Sequence, residues 1–167
     1  MNAWTWRSMA PRDLDRVVAL ADRLFPDHPE EAVHFAERLA LGARLCLTLS
    51  HQAGDVGGYA VAYPWPPGQI PPLNESLAPV PMAEGSAYLH DFGIEPAISR
   101  SGHARAGLAM LVERARVAGL RRLALVAVNR TVPFWQGQGF EICEADPAMA
   151  AKLASYGSEA RYMIRDL

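Results

Sequence analysis

The sequence predicts a single α+β domain in which a hairpin precedes one central crossover. The first observation is the size and composition. The chain has 167 residues, 50% hydrophobic and 20% charged, which suits one globular domain rather than a disordered or fibrous chain. The second observation is the order of the elements. Apolar residues recur at strand spacing in some segments and at helix spacing in others. They give a hairpin, then strand, helix, strand, helix and two strands, an order typical of an α+β domain.

The first part of the chain predicts a strand, two helices and a hairpin. Residues 5–9 have the pattern of a short strand, and the apolar side chains of residues 14–24 recur at helical spacing. A second helix is expected to begin at Pro29, because proline suits a helix start and acidic side chains there favour the helix dipole. Residues 45–50 and 56–63 are apolar runs separated by a Gly-Asp turn, so they predict an antiparallel hairpin.

A proline-rich segment, residues 64–86, interrupts this pattern. Seven of the 13 prolines lie between Pro64 and Pro81, and neither a central strand nor a long helix persists through such a run. The segment is therefore predicted to be a long loop. Long loops inside compact domains are usually functional lids or disordered linkers. The apolar side chains Trp65, Ile70 and Leu73 favour a lid packed on the domain.

The second half of the chain predicts alternating strands and helices. Residues 87–94 (AYLHDFGI) predict a strand, and residues 102–118 a helix that ends at Gly119. Residues 123–128 (LALVAV) form the continuous apolar run of a strand buried on both faces. A short helix at residues 132–138 and strands at residues 140–144 and 160–165 complete the prediction.

The turn between the strand at 87–94 and the following helix is a candidate anion site. Gly102 and Ala104 permit close approach of a ligand to the backbone, and the N-H groups at a helix start attract phosphate. Arg100 and Arg105 would add charge-assisted contacts. Small residues also cap helices for packing alone, so the pattern leaves both readings open. Its spacing does not match a Walker A loop or a dinucleotide fingerprint.

Several classes of partner are disfavoured by composition. Sixteen Lys and Arg against 18 Asp and Glu give a net charge of -2, which argues against a nucleic-acid partner held by many phosphate contacts. No apolar stretch reaches the ~20 residues of a membrane helix and no signal peptide is evident, so no membrane partner and a cytoplasmic location are expected. Cys46 and Cys143 have no metal-ligand spacing with each other or with histidines, and no metal is expected.

Residues 94–140 contain a series of spaced residues: Ile94, Pro96, Gly102, Ala104, Gly119, 123–128, Asn129, Gly139 and Phe140. They follow the order of a strand, a turn with Gly-x-[Gly/Ala], a helix, a buried strand, an asparagine and a final Gly-Phe. In this pattern the segment resembles the core of the GNAT superfamily of acetyl-CoA-dependent N-acetyltransferases. The resemblance implies a mixed, mostly antiparallel six- to seven-stranded sheet, splayed at the centre, with helices on both faces. It covers the whole chain as a single domain, residues 1–167, except the proline-rich loop.

The resemblance also implies an activity: direct transfer of an acetyl group from acetyl-CoA to a primary amine of a small molecule or peptide, by a monomer or homodimer. The alternative is a catalytically silent acyl-CoA-binding module or sensor. The chain departs from the family pattern at Ser99, where Arg or Gln is usual, and at Trp135, where a tyrosine often acts as acid. Backbone amides are implied to make most of the CoA contacts, so binding should survive the first departure, whereas the missing tyrosine would allow the silent alternative. The residues implied to bind the CoA part are Phe92, Gly93, Ile94, Ser99, Arg100, Ser101, Gly102, His103, Ala104, Arg105, Asn129, Phe134 and Trp135.

His90 is the candidate catalytic base. Strand alternation places Tyr88 and His90 on one face, near where relatives often keep a catalytic carboxylate, and histidine titrates near neutral pH. The opposing interpretation is that His90 only hydrogen-bonds Asp91 or a backbone group. Asp91 is a weaker candidate because it lies on the other face unless a bulge intervenes. The proline-rich loop is expected to shape the acceptor pocket, with Trp65, Tyr88 and Glu75 as the substrate-contacting residues and Glu84 as a further possible amine partner.

Overall fold

The computed structural model describes residues 3–128 and 130–167, which form one open sheet flanked by helices. The strands are β1 (Trp4–Ser8), β2 (Leu47–His51), β3 (Val56–Pro64), β4 (Ser86–Ile94), β5 (Arg122–Ala127), β6 (Glu141–Ile142) and β7 (Arg161–Asp166). The α-helices are α1 (Leu14–Leu24), α2 (Ala32–Leu41), α3 (His103–Val117), α4 (Val132–Gly137) and α5 (Pro147–Ala154). Single turns of 3-10 helix at Pro11–Asp13 and Pro96–Ile98 precede α1 and α3.

The sheet is mixed and its strand order is β1-β2-β3-β4-β5-β7-β6. The pairs β1·β2, β2·β3, β3·β4, β5·β7 and β6·β7 are antiparallel, and β4·β5 is parallel. A parallel pair needs a crossover connection, which α3 supplies. The predicted mixed, mostly antiparallel sheet is therefore confirmed.

The sheet splays at its centre, between β4 and β5. These two strands pair over only three positions, from Ser86 opposite Arg122 to Tyr88 opposite Ala124. Beyond Tyr88, β4 continues to Ile94 beside β3 alone. The backbone on the β5 side of its last six residues therefore has no strand partner. The predicted splay is confirmed, and it leaves unpaired backbone groups along a gap in the sheet.

Helices cover both faces of the sheet and enclose two apolar layers. On one face, α1 and α2 pack their apolar stripes against the side chains of Tyr59, Val61 and Tyr63. On the other face, α3 buries Leu108 and Leu111 against Ala60 and other small residues of the central strands. We refer to these as the α1/α2 face and the α3 face. No helix among the described residues has the length and apolar character needed to span a bilayer.

The secondary structure differs from the sequence-based prediction at three places. Helix α2 begins at Ala32 with Glu31 as its N-cap, so Pro29 and Glu30 lie before it. Strand β6 has two residues rather than five. Helix α5 was not predicted. It is capped by Asp146, whose side chain accepts a hydrogen bond from the Met149 N-H, and Pro147 occupies its first position. These start signals are present in the sequence, but the apolar stripe of the helix is short, and the helix was therefore not predicted.

Candidate active site

A cavity of about 190 Å³ lies where β4 and β5 separate. Its walls come from β4, from β5, from α4, from the segment between α1 and α2, from the proline-rich loop and from the region after α5. The lining residues are Phe25, His28, Glu30, Leu73, Tyr88, Leu89, His90, Asp91, Phe92, Leu125, Val126, Val128, Thr131, Trp135 and Tyr156. Residues that are distant in sequence thus converge on the gap in the sheet.

The cavity passes from one face of the sheet to the other. Tyr88 and Val126 belong to the apolar layer of the α1/α2 face, whereas Leu89, Leu125 and Trp135 belong to that of the α3 face. Side chains from both apolar layers therefore meet at the unpaired edge of β4.

A β-bulge in β4 decides which side chains reach the cavity. Val61 of β3 is opposite Asp91, but its neighbour Ala62 is opposite Leu89, so His90 is the extra residue. The bulge places Asp91 opposite Val61, on the α1/α2 face, together with Tyr88. Tyr88, His90 and Asp91 consequently all line the cavity. The sequence analysis allowed Asp91 to reach this face only if a bulge intervened, and β4 contains such a bulge.

His90 is held between a carboxylate and a phenol. Its Nε2 lies 2.7 Å from Glu30 Oε1 and its Nδ1 lies 2.8 Å from the Tyr63 hydroxyl. The His90 side chain is only 3% exposed. Burial lowers the pKa of His90, while the adjacent Glu30 carboxylate opposes that shift. With Glu30 ionised and able only to accept, Nε2 carries the proton that His90 donates, and Nδ1 accepts from Tyr63.

Glu30 is fixed by contacts from α2 and from the proline-rich loop. Its Oε2 accepts from the Asn74 backbone N-H at 3.0 Å and lies 3.4 Å from the Arg38 guanidinium. Burial raises the pKa of Glu30, but the contacts with His90, Asn74 and Arg38 outweigh burial and hold this pKa below its ordinary value. Glu30 is therefore an ionised carboxylate whose charge is compensated by Arg38 on the side away from the cavity.

Arg38 ties the proline-rich loop to the domain. Its side chain is 1% exposed, and it donates to the backbone carbonyls of Pro72 and Glu75 at 2.9 and 3.3 Å. Glu37 accepts from the Leu77 N-H at 2.7 Å on the same stretch of loop. Ile70 and Leu77 are buried. The loop is thus packed on α2, and its residue Leu73 reaches the cavity.

Asp91 is the second titratable group of the cavity. Burial raises the pKa of Asp91 to about 7, opposed by its interaction with the Tyr59 hydroxyl and raised further by the Glu30 charge. The Tyr59 side chain lies in the α1/α2 face and is completely buried. A carboxyl group with this pKa exists in both protonation states near neutral pH. Perturbed carboxyl groups in cavities are common at functional sites.

The candidate anion site lies at the start of α3. Gly102 is the N-cap with φ of 78°, a left-handed conformation that favours glycine, and a Cβ built there would meet no atom within 4 Å. The first N-H groups of α3 have no intrahelical acceptor. His103 is buried and its carbonyl accepts from the Trp6 indole N-H at 2.8 Å, which anchors the helix start. Ser99, Arg100, Ser101 and Arg105 are exposed around it.

Aromatic rings connect the end of β4 to α4. Trp135 packs edge-on against Phe92, Phe134 and Phe140, at centroid distances of 5.9, 5.0 and 5.5 Å. Trp135 and Phe92 line the cavity, but Phe134 does not and is 39% exposed. Trp135 therefore contributes both to the core of the α3 face and to the cavity wall.

Two predicted substrate-contacting residues, Trp65 and Glu75, are not brought to the cavity. Trp65 is buried and packs edge-on against Tyr63. The Glu75 side chain is exposed because the loop turns its carbonyl inward to Arg38. Neither residue is part of the cavity lining. Asn129 lies outside the described residues.

Sequence reasoning missed Glu30 and Tyr63 and underrated Asp91. Glu30 looked like a helix-start acid, and its local context gave no sign of the contact with His90. Tyr63 was only one apolar position of a strand. An acidic residue just before a helix N-cap and a tyrosine next to Pro64 are too common to serve as signals. Within residues 3–128 and 130–167, no cluster of three or more His, Cys, Asp or Glu side chains could hold a metal ion.

Comparison with known proteins identifies the family. The family model described as acetyltransferase (GNAT) family matches residues 11–140. The chain belongs to this family. It is therefore an acyltransferase of the acetyl-CoA-dependent N-acetyltransferase class. No curated protein matches the sequence significantly.

Solved structures share the fold of this acetyltransferase at low sequence identity. Ard1 from Thermoplasma volcanium is similar with a TM-score of 0.76 at 17% identity, over 99% of this chain and 98% of that one. The loading GNATL domain of CurA from Lyngbya majuscula has a TM-score of 0.78 at 15% identity, over 99% and 98%. N-acetylglutamate synthase from Neisseria gonorrhoeae, solved with coenzyme A and N-acetyl-glutamate, has a TM-score of 0.71 at 17% identity, over 98% of this chain and 35% of that one.

Proposed function

We propose that the protein transfers an acetyl group from acetyl-CoA directly to a primary amine of a small molecule or peptide. The observation that carries this proposal is the cavity that crosses the sheet where β4 and β5 separate. It lets two substrates approach from opposite faces, and it contains a buried histidine and a carboxyl group with a pKa near neutrality. Relatives solved with coenzyme A bound support the choice of acyl donor.

The acetyl-CoA side of the reaction is assigned to β4, the turn before α3, and α4. The unpaired backbone of Phe92, Gly93 and Ile94 offers hydrogen-bond partners for the pantetheine arm and for the thioester carbonyl. The N-H groups at the start of α3 suit the pyrophosphate, since the open space at Gly102 allows close approach. Trp135 would wall the channel beside the acetyl group.

His90 and Asp91 share the handling of the acceptor amine. At neutral pH the amine arrives as an ammonium ion, which the Asp91 carboxylate holds in the cavity. His90 then takes a proton from the ammonium group at Nδ1, as the Tyr63 hydroxyl turns aside. The Nε2-H of His90 continues to donate its hydrogen bond to Glu30. The freed amine nitrogen attacks the thioester carbonyl carbon. A C–N bond forms, the C–S bond breaks, and the CoA thiolate leaves with the bonding electrons. The second proton of the attacking nitrogen passes to the Asp91 carboxylate, which leaves a neutral amide.

The leaving thiolate has no tyrosine acid at position 135. The indole N-H of Trp135 donates a hydrogen bond but does not supply a proton at neutral pH. Tyr88 and Tyr156 line the same cavity, but burial raises the pKa of both phenols, that of Tyr156 to about 12. A CoA thiol titrates in the range of an ordinary thiol. The thiolate is therefore expected to leave unprotonated.

Calorimetry with acetyl-CoA and a thiol-release assay over a set of amines test this function. We expect acetyl-CoA to bind and CoA to be released only when an amine is present, with one N-acetylated product detected by mass spectrometry. Binding of acetyl-CoA without release on any amine would instead support the silent acyl-CoA-binding module. Failure of acetyl-CoA to bind would contradict both.

A further inference from the structure

The acceptor side of the cavity has a definite chemical character. On the α1/α2 face its wall consists of apolar and aromatic side chains. The residues are Phe25, Leu73, Tyr88, Val126 and Tyr156. His28 stands at the same wall, with its ring 5.8 Å from that of Tyr156. Burial of apolar surface is the main favourable term that such a wall offers a ligand.

The charges around this wall are one-sided. Of the residues that the structure describes, no Lys or Arg lines the cavity. Arg38 is buried behind Glu30 and compensates its charge, with further contacts to loop carbonyls, to the His34 carbonyl and to Glu37. Within the described residues no cation acts on Asp91; its polar neighbours are the Tyr59 hydroxyl and the Phe92 backbone. The acceptor therefore meets one unpaired carboxyl group and no fixed positive charge.

These two features favour an amine without a neighbouring carboxylate. An ammonium group gains a charge-assisted contact with Asp91. A carboxylate on the carbon next to the amine would lie beside Asp91 and Glu30 and would have no guanidinium or ammonium partner. Like charges in such a setting are strongly unfavourable, and a desolvated anion without a partner costs more than its neutral analogue.

We propose that the acceptor is a small primary amine on an apolar, ring-sized group that carries no carboxylate on the amine-bearing carbon. This inference rests on the acetyltransferase activity proposed above and deepens it. Phe25, Leu73 and Tyr156 contact the apolar group, and Asp91 contacts the ammonium. The same cavity rejects free α-amino acids, since their carboxylate finds no partner there.

Matched acceptors test the proposal with the unmodified protein. We would measure kcat/KM, expressed per ammonium form of each acceptor, for phenethylamine, phenylalanine, phenylalaninamide and ethanolamine. Phenethylamine and phenylalanine differ only in the carboxylate, and we expect phenethylamine to be preferred by at least about 100-fold. Ethanolamine lacks the ring, and we expect it to be at least about tenfold poorer than phenethylamine. Phenylalaninamide keeps the size of the amino acid without its charge and should regain most of the loss.

The results distinguish failure of the proposed acceptor class from failure of the acetyltransferase activity. Phenylalanine equal to or better than phenethylamine would overturn the inference while leaving the acetyltransferase activity intact. Phenylalaninamide as poor as phenylalanine would mean that size rather than charge excludes amino acids, which also overturns it. If acetyl-CoA binds but no amine in this set or in a wider amine panel is acetylated, the proposed function fails and the inference falls with it.

A variant pair provides an independent readout. His28→Arg places a fixed cation at the cavity wall, whereas His28→Gln changes the ring without adding charge. We expect His28→Arg to shift the preference ratio toward phenylalanine by about tenfold, and His28→Gln to leave that ratio unchanged. An equal ratio in both variants would contradict the argument that the missing cation excludes carboxylates.

Discussion

Glu30 Oε1 and His90 Nε2 lie 2.7 Å apart, although the two residues are 60 positions apart in the sequence. The contact joins the segment before α2 to the bulge of β4, and the Tyr63 hydroxyl completes it at the other imidazole nitrogen. A carboxylate that accepts from one nitrogen fixes the tautomer of the ring. Glu30 is thus a positioning residue, and Nδ1 of His90 is the nitrogen that can receive a proton.

Replacement of His90 tests its role as the base. His90→Gln keeps a donor toward Glu30 and an acceptor toward Tyr63 but removes proton transfer, so kcat should fall by about 10² to 10⁴-fold. Acetyl-CoA affinity, measured by calorimetry, should be unchanged because the proposed contacts to CoA are made by backbone groups. His51→Gln, at the end of β2, is the matched control and should retain the parent kcat. Retention of the parent kcat by His90→Gln would make His90 a structural residue.

The pH dependence separates Asp91 from His90. Because burial raises the pKa of Asp91 to about 7, its carboxylate forms only above that pH, and kcat/KM should rise through an ionisation near 7. Burial lowers the pKa of His90, so its ionisation should lie below the ordinary histidine range. Asp91→Asn should abolish the limb near 7, raise the acceptor KM and leave the lower limb in place. A limb near 7 that persists in Asp91→Asn would contradict the assignment.

The ionisation of Asp91 should also change the stability of the folded protein. The carboxylate that favours acceptor binding should destabilise the fold. The pKa of Asp91 is higher in the folded protein than its ordinary value of 3.8, so the unfolded chain binds fewer protons at pH values between the two. Stability is therefore lost as the pH rises through this window. Asp91→Asn removes that loss and should raise the Tm at about pH 8 by a few degrees, with little change at about pH 4. Thermal denaturation at both pH values gives the comparison.

Much of the fold was predictable from sequence because its signals are local. The hairpin, the crossover helix with its glycine cap and the doubly buried strand each followed from spacing within a dozen residues. The splay between β4 and β5 came from the family resemblance and not from spacing. The candidate site depends on features without a local signal. A one-residue slip between Val61 and Ala62 moves Asp91 to the cavity face, and alternation alone does not reveal where a strand bulges.

The contacts of Glu30 and Glu75 illustrate the same limit. Both are acidic residues near prolines, and sequence alone gave Glu75 the substrate role and Glu30 a role at a helix start. The structure reverses their environments, because Arg38 takes the Glu75 carbonyl and buries the Glu30 carboxylate beside His90. Which acid is buried depends on how a long loop packs against α2. That packing is a tertiary property.

Charge at Gly102 tests the position of the pyrophosphate. Gly102→Glu places a carboxylate at the start of α3, where a Cβ meets no neighbouring atom, and like-charge repulsion should weaken acetyl-CoA binding by at least about 100-fold. Gly102→Gln imposes the same left-handed backbone on a side chain of the same length without charge, so it separates repulsion from strain. Equal dissociation constants for the two variants in calorimetry would place the pyrophosphate elsewhere.

Trp135 tests whether an acid is needed for the leaving thiolate. Trp135→Tyr restores the residue that is usual at this position in the family and keeps an aromatic ring against Phe92 and Phe140, so kcat should be retained without a large gain. Trp135→Phe offers no donor and is the matched control for the ring alone. Circular dichroism and Tm report folding in both variants. A folded Trp135→Tyr protein with a kcat far above those of both the parent and Trp135→Phe would contradict the view that no phenol is required.

The central claim is direct transfer of the acetyl group to an amine in the cavity between β4 and β5. Its most direct test is a single-turnover reaction of the protein with radiolabelled acetyl-CoA and phenethylamine, quenched over time and resolved into protein, CoA and small-molecule fractions. We expect N-acetylated amine to appear in step with free CoA, with no label on the protein at any time. Label that first accumulates on the protein, or CoA release without N-acetylated product, would contradict the account.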